Sequence, residues 1–182
     1  TAFADYGLDT AIRTAIGERT GEPRSDGMIA LALGKQGAGE LNYSSDIDPI
    51  LIYDLASLPC RANDDPGEAA QRYARRIVKL LSDNTVEGYV QRGDLRLRPA
   101  SEISPLAVPR ASALTHYQGQ ALAWERAAFT RARAAAGDIG EIDLGQGHPV
   151  RALNFGQQRA SLIGDDAAAV KGHLRPNRFG AN

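Results

Sequence analysis

The sequence predicts an α/β (α+β) domain: a small mixed sheet flanked by helices and followed by a helical segment. Two observations carry that expectation. Met28 to Leu33 and Ile47 to Tyr53 are short apolar runs bounded by turn residues, the pattern of buried strands. Residues 3–19 and 64–82 instead repeat their apolar residues at helical spacing.

Taken in order, Phe3 to Arg19 reads as a helix with a stripe of Phe3, Tyr6, Leu8, Ala11, Ile12, Ala15 and Ile16. Thr20 to Gly27 is a loop rich in Gly, Pro and charge. Met28 to Leu33 is a central strand, and Gly34 to Gly39 a glycine-rich turn. The second strand contains Pro49, which lacks an amide donor, so its first part lies at an edge or free of the ladder. Asp64-Asp65-Pro66-Gly67-Glu68 opens a helix that runs to about Ser82. Gly88 to Pro99 alternates as a third strand, and two helices are expected over Arg110 to Gln120 and Leu122 to Ala136. The implied division is a helix and loop over 1–27, a core with its following helices over 28–137, and a poorly determined tail over 138–182. In that tail helical periodicity fades, and eight of the 19 glycines fall from Gly137 onward.

Composition narrows the function classes. The 182 residues are 43% hydrophobic and 24% charged, and the net charge of −1 attracts no polyanion, so nucleic acid is not an expected partner. No apolar run approaches the ~20 residues of a membrane span, and the first residues have neither the basic nor the apolar region of a signal peptide. The single cysteine, Cys60, excludes an internal disulfide and reads as an inert thiol in a reducing cytoplasm. The absence of an initiator methionine is read as the mark of a piece of a longer protein. His116, His148 and His173 have no ligand-like spacing and receive no metal role.

The chemistry concentrates in Ser44-Ser45-Asp46-Ile47-Asp48. Alternation along an extended chain puts Asp46 and Asp48 on one side and Ile47 on the other. Two carboxylates that close repel one another until a hard divalent cation lies between them, and Mg²⁺ prefers oxygen ligands. Mg²⁺ takes its remaining ligands from water and phosphate, which points to phosphate-ester chemistry. A solvated acidic strand edge is the bland alternative. Against it stand the glycine turn with Lys35, the two serines, and a third acid, Asp94, which alternation places with Arg96 and Arg98 opposite Leu95 and Leu97. Guanidinium forks suit phosphate oxygens. The turn Gly34-Lys35-Gln36-Gly37-Ala38-Gly39 is neither a P-loop nor a dinucleotide fingerprint, although its amides and Lys35 suit a phosphate.

Together with Trp124-Glu125-Arg126 and Arg131-Ala132-Arg133, the strings Gly34-Lys35-Gln36-Gly37, Glu40-Leu41-Asn42-Tyr43-Ser44-Ser45-Asp46-Ile47-Asp48 and Asp94-Leu95-Arg96-Leu97-Arg98-Pro99 resemble the bifunctional glutamine synthetase adenylyltransferase/adenylyl-removing family. That family lies within the DNA polymerase β-like nucleotidyltransferase superfamily. The resemblance covers roughly Phe3 to Asp138 and is closer to the amino-terminal, deadenylylating half. It implies a small mixed-sheet nucleotidyltransferase core that removes AMP from adenylylated glutamine synthetase by phosphorolysis, giving ADP. The alternatives are adenylylation with ATP on the same scaffold, or an incomplete nucleotide-binding fragment.

By resemblance Asp46, Asp48 and Asp94 are the catalytic, metal-binding carboxylates, holding Mg²⁺ or, in its place, Mn²⁺. Gly37 and Ser45 lie beside the nucleotide phosphates, with Lys35, Arg96 and Arg98 as further phosphate ligands. Trp124 is expected in core or interface. The implied partners are glutamine synthetase, an adenine nucleotide, orthophosphate and, through the full-length parent, a PII-type signalling protein. The sequence departs from the family at Ala38, which replaces the second glycine of a pair. Gly93 replaces an apolar residue, loosening that strand by up to ~1 kcal/mol. Gly145 to Phe155 stands where an acid-bearing motif is expected.

Overall fold

The computed structural model describes residues 1–139; residues 140–182, nearly all of the expected tail and with it the departure at Gly145 to Phe155, lie outside the described residues. Helix α1 (Ala2–Thr20) ends where Gly21 adopts φ 90 and donates its N–H to the Gly17 carbonyl at 2.8 Å. Its buried side is Ala4, Leu8, Ala11, Ile12, Ala15 and Ile16. Phe3 and Tyr6, expected in that stripe, are 68% and 72% exposed, because at 100° per residue they fall on the opposite side of the helix from Leu8 and Ala15.

Strand β1 (Met28–Ala32) is buried throughout and occupies the middle of a four-stranded mixed sheet. A single helical turn, α2 (Gly34–Gly37), takes the place of the expected glycine turn. Strand β2 (Pro49–Tyr53) pairs antiparallel with β1, Met28 opposite Tyr53 and Ala32 opposite Pro49. Pro49 is tolerated because it is the first residue of the strand and the ladder on the other side begins only at Leu51. Helix α3 (Pro66–Ser82) is capped by Asp65, whose Oδ1 accepts the Glu68 N–H at 2.8 Å, with Pro66 in its first turn.

Strand β3 (Ala107–Pro109) runs parallel to β2 and was too short to be foreseen. Helix α4 (Arg110–Thr115) continues into a wider π-type turn over His116–Gln120, and α5 (Ala123–Phe129) follows. Strand β4 (Arg133–Gly137) then pairs antiparallel with β1, with a bulge opposite Ala30 and Leu31. The sheet order is β3-β2-β1-β4. Alternation divides the core. Met28, Ala30, Leu51 and Tyr53 pack under α1 and α3, while Ile29, Leu31, Ile50 and Ile52 meet Val108, Tyr117 and Phe129 on the other face.

Two expected elements are corrected. The helix over Leu122 to Ala136 stops at Phe129, and Arg133-Ala134-Ala135-Ala136-Gly137 is an edge strand. Alanine favours helix locally, but its small side chain lets this strand pass under α1, and pairing with β1 outweighs propensity. The strand over Gly88 to Pro99 is also absent. That segment is irregular, with isolated bridges from Gly88 to Thr85 and, in parallel, from Gly93 to Ile47.

Candidate active site

The Ile47 and Gly93 pair builds the site. The Ile47 N–H donates to the Arg92 carbonyl at 2.9 Å, and the Asp94 N–H donates to the Ile47 carbonyl at 2.8 Å. Ile47 is fully buried, so its neighbours Asp46 and Asp48 turn to the opposite face. Arg92 and Asp94, flanking Gly93, turn to the same face as those two acids. Two segments 46 residues apart thereby bring carboxylates to one surface at the end of the sheet. Gly34 closes the other side. It adopts φ 55, and a side-chain Cβ there would lie 3.4 Å from Asp48 Oδ2. Its lack of a side chain keeps the approach to Asp48 open.

The three acids sit in different fields. Asp48 is half-buried; burial first, then the charges of Asp94 and Asp46, push its carboxyl above the ordinary range, against some relief from Arg96. Asp94 moves the other way. Arg96 grips it through Nε at 2.9 and 2.8 Å and through its own backbone N–H at 2.9 Å, which holds the acid below the ordinary range. Asp46 is exposed and pairs with Arg92 Nε at 2.6 Å. The donor set is all oxygen, and Asp48 is an anion lacking a full countercharge, so the residues fit a hard divalent cation. As oriented, Asp46 and Asp94 face their arginines, and among the described residues no three such side chains are grouped so as to hold a metal ion.

The remaining expected residues divide. Arg96 lies beside Asp94, but Arg98 turns inward, donating to the carbonyls of Leu95 at 2.7 Å, Ser101 at 2.7 Å and Ser104 at 3.2 Å. It organises the turns that replace the expected strand, and its donors are engaged by backbone. Gly37 is a close-packing glycine, since a Cβ there would stand 2.0 Å from the Arg131 carbonyl oxygen and 2.6 Å from that of Ala32. Ser45 is half-buried, its carbonyl accepting from the Gln91 side chain. Lys35 is exposed on α2.

Three groups receive no role at the site from sequence reasoning, although Gln36 and Glu125 lie in the strings quoted above. Arg92 is two residues before Asp94, and the alternation rule carried one step further back would have found it. Gln36 is 1% exposed, donates to Asp5 Oδ1 at 2.9 Å, and shares that acid with Arg133 at 2.8 Å, which ties α2 to α1 and β4. Glu125 is 5% exposed, bonds His116 Nε2 at 2.8 Å and accepts the Leu122 N–H at 2.7 Å. The Gln36 network joins residues distant in sequence and leaves no local pattern, whereas the Glu125 bonds stay within one short stretch of chain. Trp124 is half-exposed beside them, which places it on the surface instead of in the core.

The family model for glutamate-ammonia ligase adenylyltransferase matches residues 4–143. Among curated proteins, the bifunctional glutamine synthetase adenylyltransferase/adenylyl-removing enzyme of Rhizobium meliloti is 47% identical over 115 residues, 63% of this chain and 12% of that protein. Its namesake from Brucella suis is 46% identical over 133 residues, 71% of this chain and 13% of that protein. The one from Rhodopseudomonas palustris strain BisB5 is 39% identical over 164 residues, 82% of this chain and 17% of that protein. The chain thus spans less than a fifth of the length of these relatives.

Proposed function

Because the chain belongs to the glutamate-ammonia ligase adenylyltransferase family, we propose that it is the core of a nucleotidyltransferase acting on glutamine synthetase. The direction we propose is removal of AMP by phosphorolysis. An oxygen of orthophosphate attacks the AMP phosphorus, the bond from phosphorus to the modified tyrosine oxygen breaks, and that oxygen takes up a proton. ADP and unmodified glutamine synthetase leave. The observation that carries the reading is the meeting of Asp46, Asp48 and Asp94 on one face through the Ile47 and Gly93 pair.

Asp46, Asp48 and Asp94 would hold Mg²⁺, or Mn²⁺ in its place, and the ion would supply charge neutralisation at the phosphoryl oxygens. The chain's own residues account for the rest. Asp48, the acid least at ease as an anion, is the one whose charge a cation relieves most. Arg96 is largely exposed beyond Asp94 and screens an incoming phosphate at the rim. Gly34 leaves room for a phosphate to come near Asp48. Orthophosphate is already anionic near neutral pH, so the site needs to position it and offset its charge, with no strong base required. The preference for phosphorolysis rests on Ser44-Ser45-Asp46-Ile47-Asp48 and Asp94-Leu95-Arg96-Leu97-Arg98-Pro99, the forms typical of the deadenylylating half. A PII-type protein would act through the full-length parent. No described helix is long and apolar enough to cross a membrane.

The test uses the full-length parent with only this half intact. Adenylylated glutamine synthetase, Mg²⁺ and orthophosphate should yield ADP, and ATP with unmodified glutamine synthetase should yield little transfer. Transfer from ATP without ADP formation from the adenylylated substrate reverses the direction.

A further inference from the structure

We propose that Arg92 is a phosphate-binding residue held in reserve: it neutralises Asp46 until a divalent cation takes that carboxylate, then turns into the adjoining groove to bind a phosphate-bearing anion. The proposal rests on the reading of Asp46, Asp48 and Asp94 as cation ligands and adds a second consequence of cation binding.

Arg92 Nε lies 2.6 Å from Asp46 Oδ1, its terminal nitrogen reaches the Ser44 carbonyl at 3.3 Å, and its guanidinium stands 5.8 Å from the Tyr89 ring centre. Arg92 holds Asp46 through Oδ1 alone, and a divalent cation on the same carboxylate would set two positive groups close together, where they repel. That repulsion works against the ion pair, which yields easily. Its side chains are 56% and 54% exposed, in the range where such pairs contribute little. The other candidate for release, Arg96, holds Asp94 with both Nε contacts and its backbone N–H, so Arg92 is the less tightly held of the two.

The geometry also fixes where the freed group goes. The Arg92 backbone stays beside Ile47 through the Ile47 N–H bond to its carbonyl, so the guanidinium can pivot only locally. Arg92 already lines a groove of about 590 Å³ with Asn42, Ser44, Ser45, Tyr89 and Gln91. Among the described residues no Asp or Glu lines that groove. An anion entering it meets hydroxyl and amide donors and, once Arg92 points inward, a five-donor cationic fork suited to phosphate oxygens. Cation and anion should therefore favour each other's binding, and by the same factor in both directions.

The experiment titrates Mn²⁺ into the 182-residue chain, reading free Mn²⁺ by electron paramagnetic resonance, with and without AMP as the anion probe. Wild type should bind Mn²⁺ more tightly in the presence of AMP. Arg92→Gln should bind Mn²⁺ alone about threefold more tightly, because its competitor for Asp46 is gone. The same variant should bind AMP in Mn²⁺ about tenfold more weakly, the loss of one charge-assisted contact. Arg76→Gln, which breaks an ion pair with Glu18, should match wild type in both readouts. An Arg92→Gln chain with unchanged Mn²⁺ affinity, or with wild-type AMP binding, overturns the proposal while leaving the carboxylate site standing. A wild-type chain that binds no Mn²⁺ overturns both.

Discussion

Asp48 carries the largest unmet charge of the three acids, because Asp46 has Arg92, Asp94 has Arg96, and Asp48 has burial and two like charges. Its folded-state carboxyl lies above its unfolded value, so the ionised form costs stability. That cost is fully present above the raised value and disappears as pH falls through it towards the ordinary carboxylate range. Asp48→Asn removes the cost. In the absence of divalent cations the variant should melt about 1–2 °C above wild type near pH ~7, the size that remains after discounting a partly exposed group. The gain should shrink towards zero near pH ~4, where wild type is relieved by protonation. A variant that melts below wild type at neutral pH would mean Asp48 has a stabilising partner. At this scale the sequence was legible wherever alternation applied: Asp46, Asp48 and Asp94 share a face because each flanks a member of the Ile47 and Gly93 pair. It misled at Arg98, since alternation fails once the chain leaves extended geometry, and that guanidinium is consumed by the carbonyls of Leu95, Ser101 and Ser104.

Elements with long periodicity or explicit caps were readable, and those depending on distant partners were not. Helix α3 begins at Asp65-Pro66 because a capping carboxylate and a first-turn proline are local signals. Asp65→Ala should therefore cost about 1 kcal/mol in denaturant unfolding, with little change in slope. A change below the error of the measurement would show that the Asp65 Oδ1 contact with the Glu68 N–H adds nothing net. Strand β4 is the opposite case. Its three alanines look helical alone, and only the open edge of β1 makes them a strand, with Gly137 at φ 92 ending it. Strand β3 has three residues and owes its existence to β2. The irregular path from Gly88 to Pro99 has the same origin: Gly88 bridges only to nearby Thr85, Gly93 meets distant Ile47, and its turns are then held by Arg98.

At the scale of the molecule, the mixed sheet buries both of its faces and leaves one end open, and that end is where the Gly34 turn, the entry to β2 and the Gly93 segment meet. Packing on both faces makes that end a firm platform, with Gln36, Asp5 and Arg133 locking α2 against α1 and β4. Asp48 can therefore carry unfavourable charge without the fold depending on it, which separates activity from stability in a test. The central claim is that these carboxylates perform adenylyl transfer, and Asp48 is the member whose loss leaves the scaffold intact. The direct measurement is the rate of ADP formation from adenylylated glutamine synthetase by the full-length parent with only this half intact, comparing wild type with Asp48→Asn at saturating Mg²⁺ and orthophosphate. The account predicts a fall of at least ~10²–10³-fold, the loss typical of one preorganised electrostatic group, with the variant folded. Turnover comparable to wild type would contradict it.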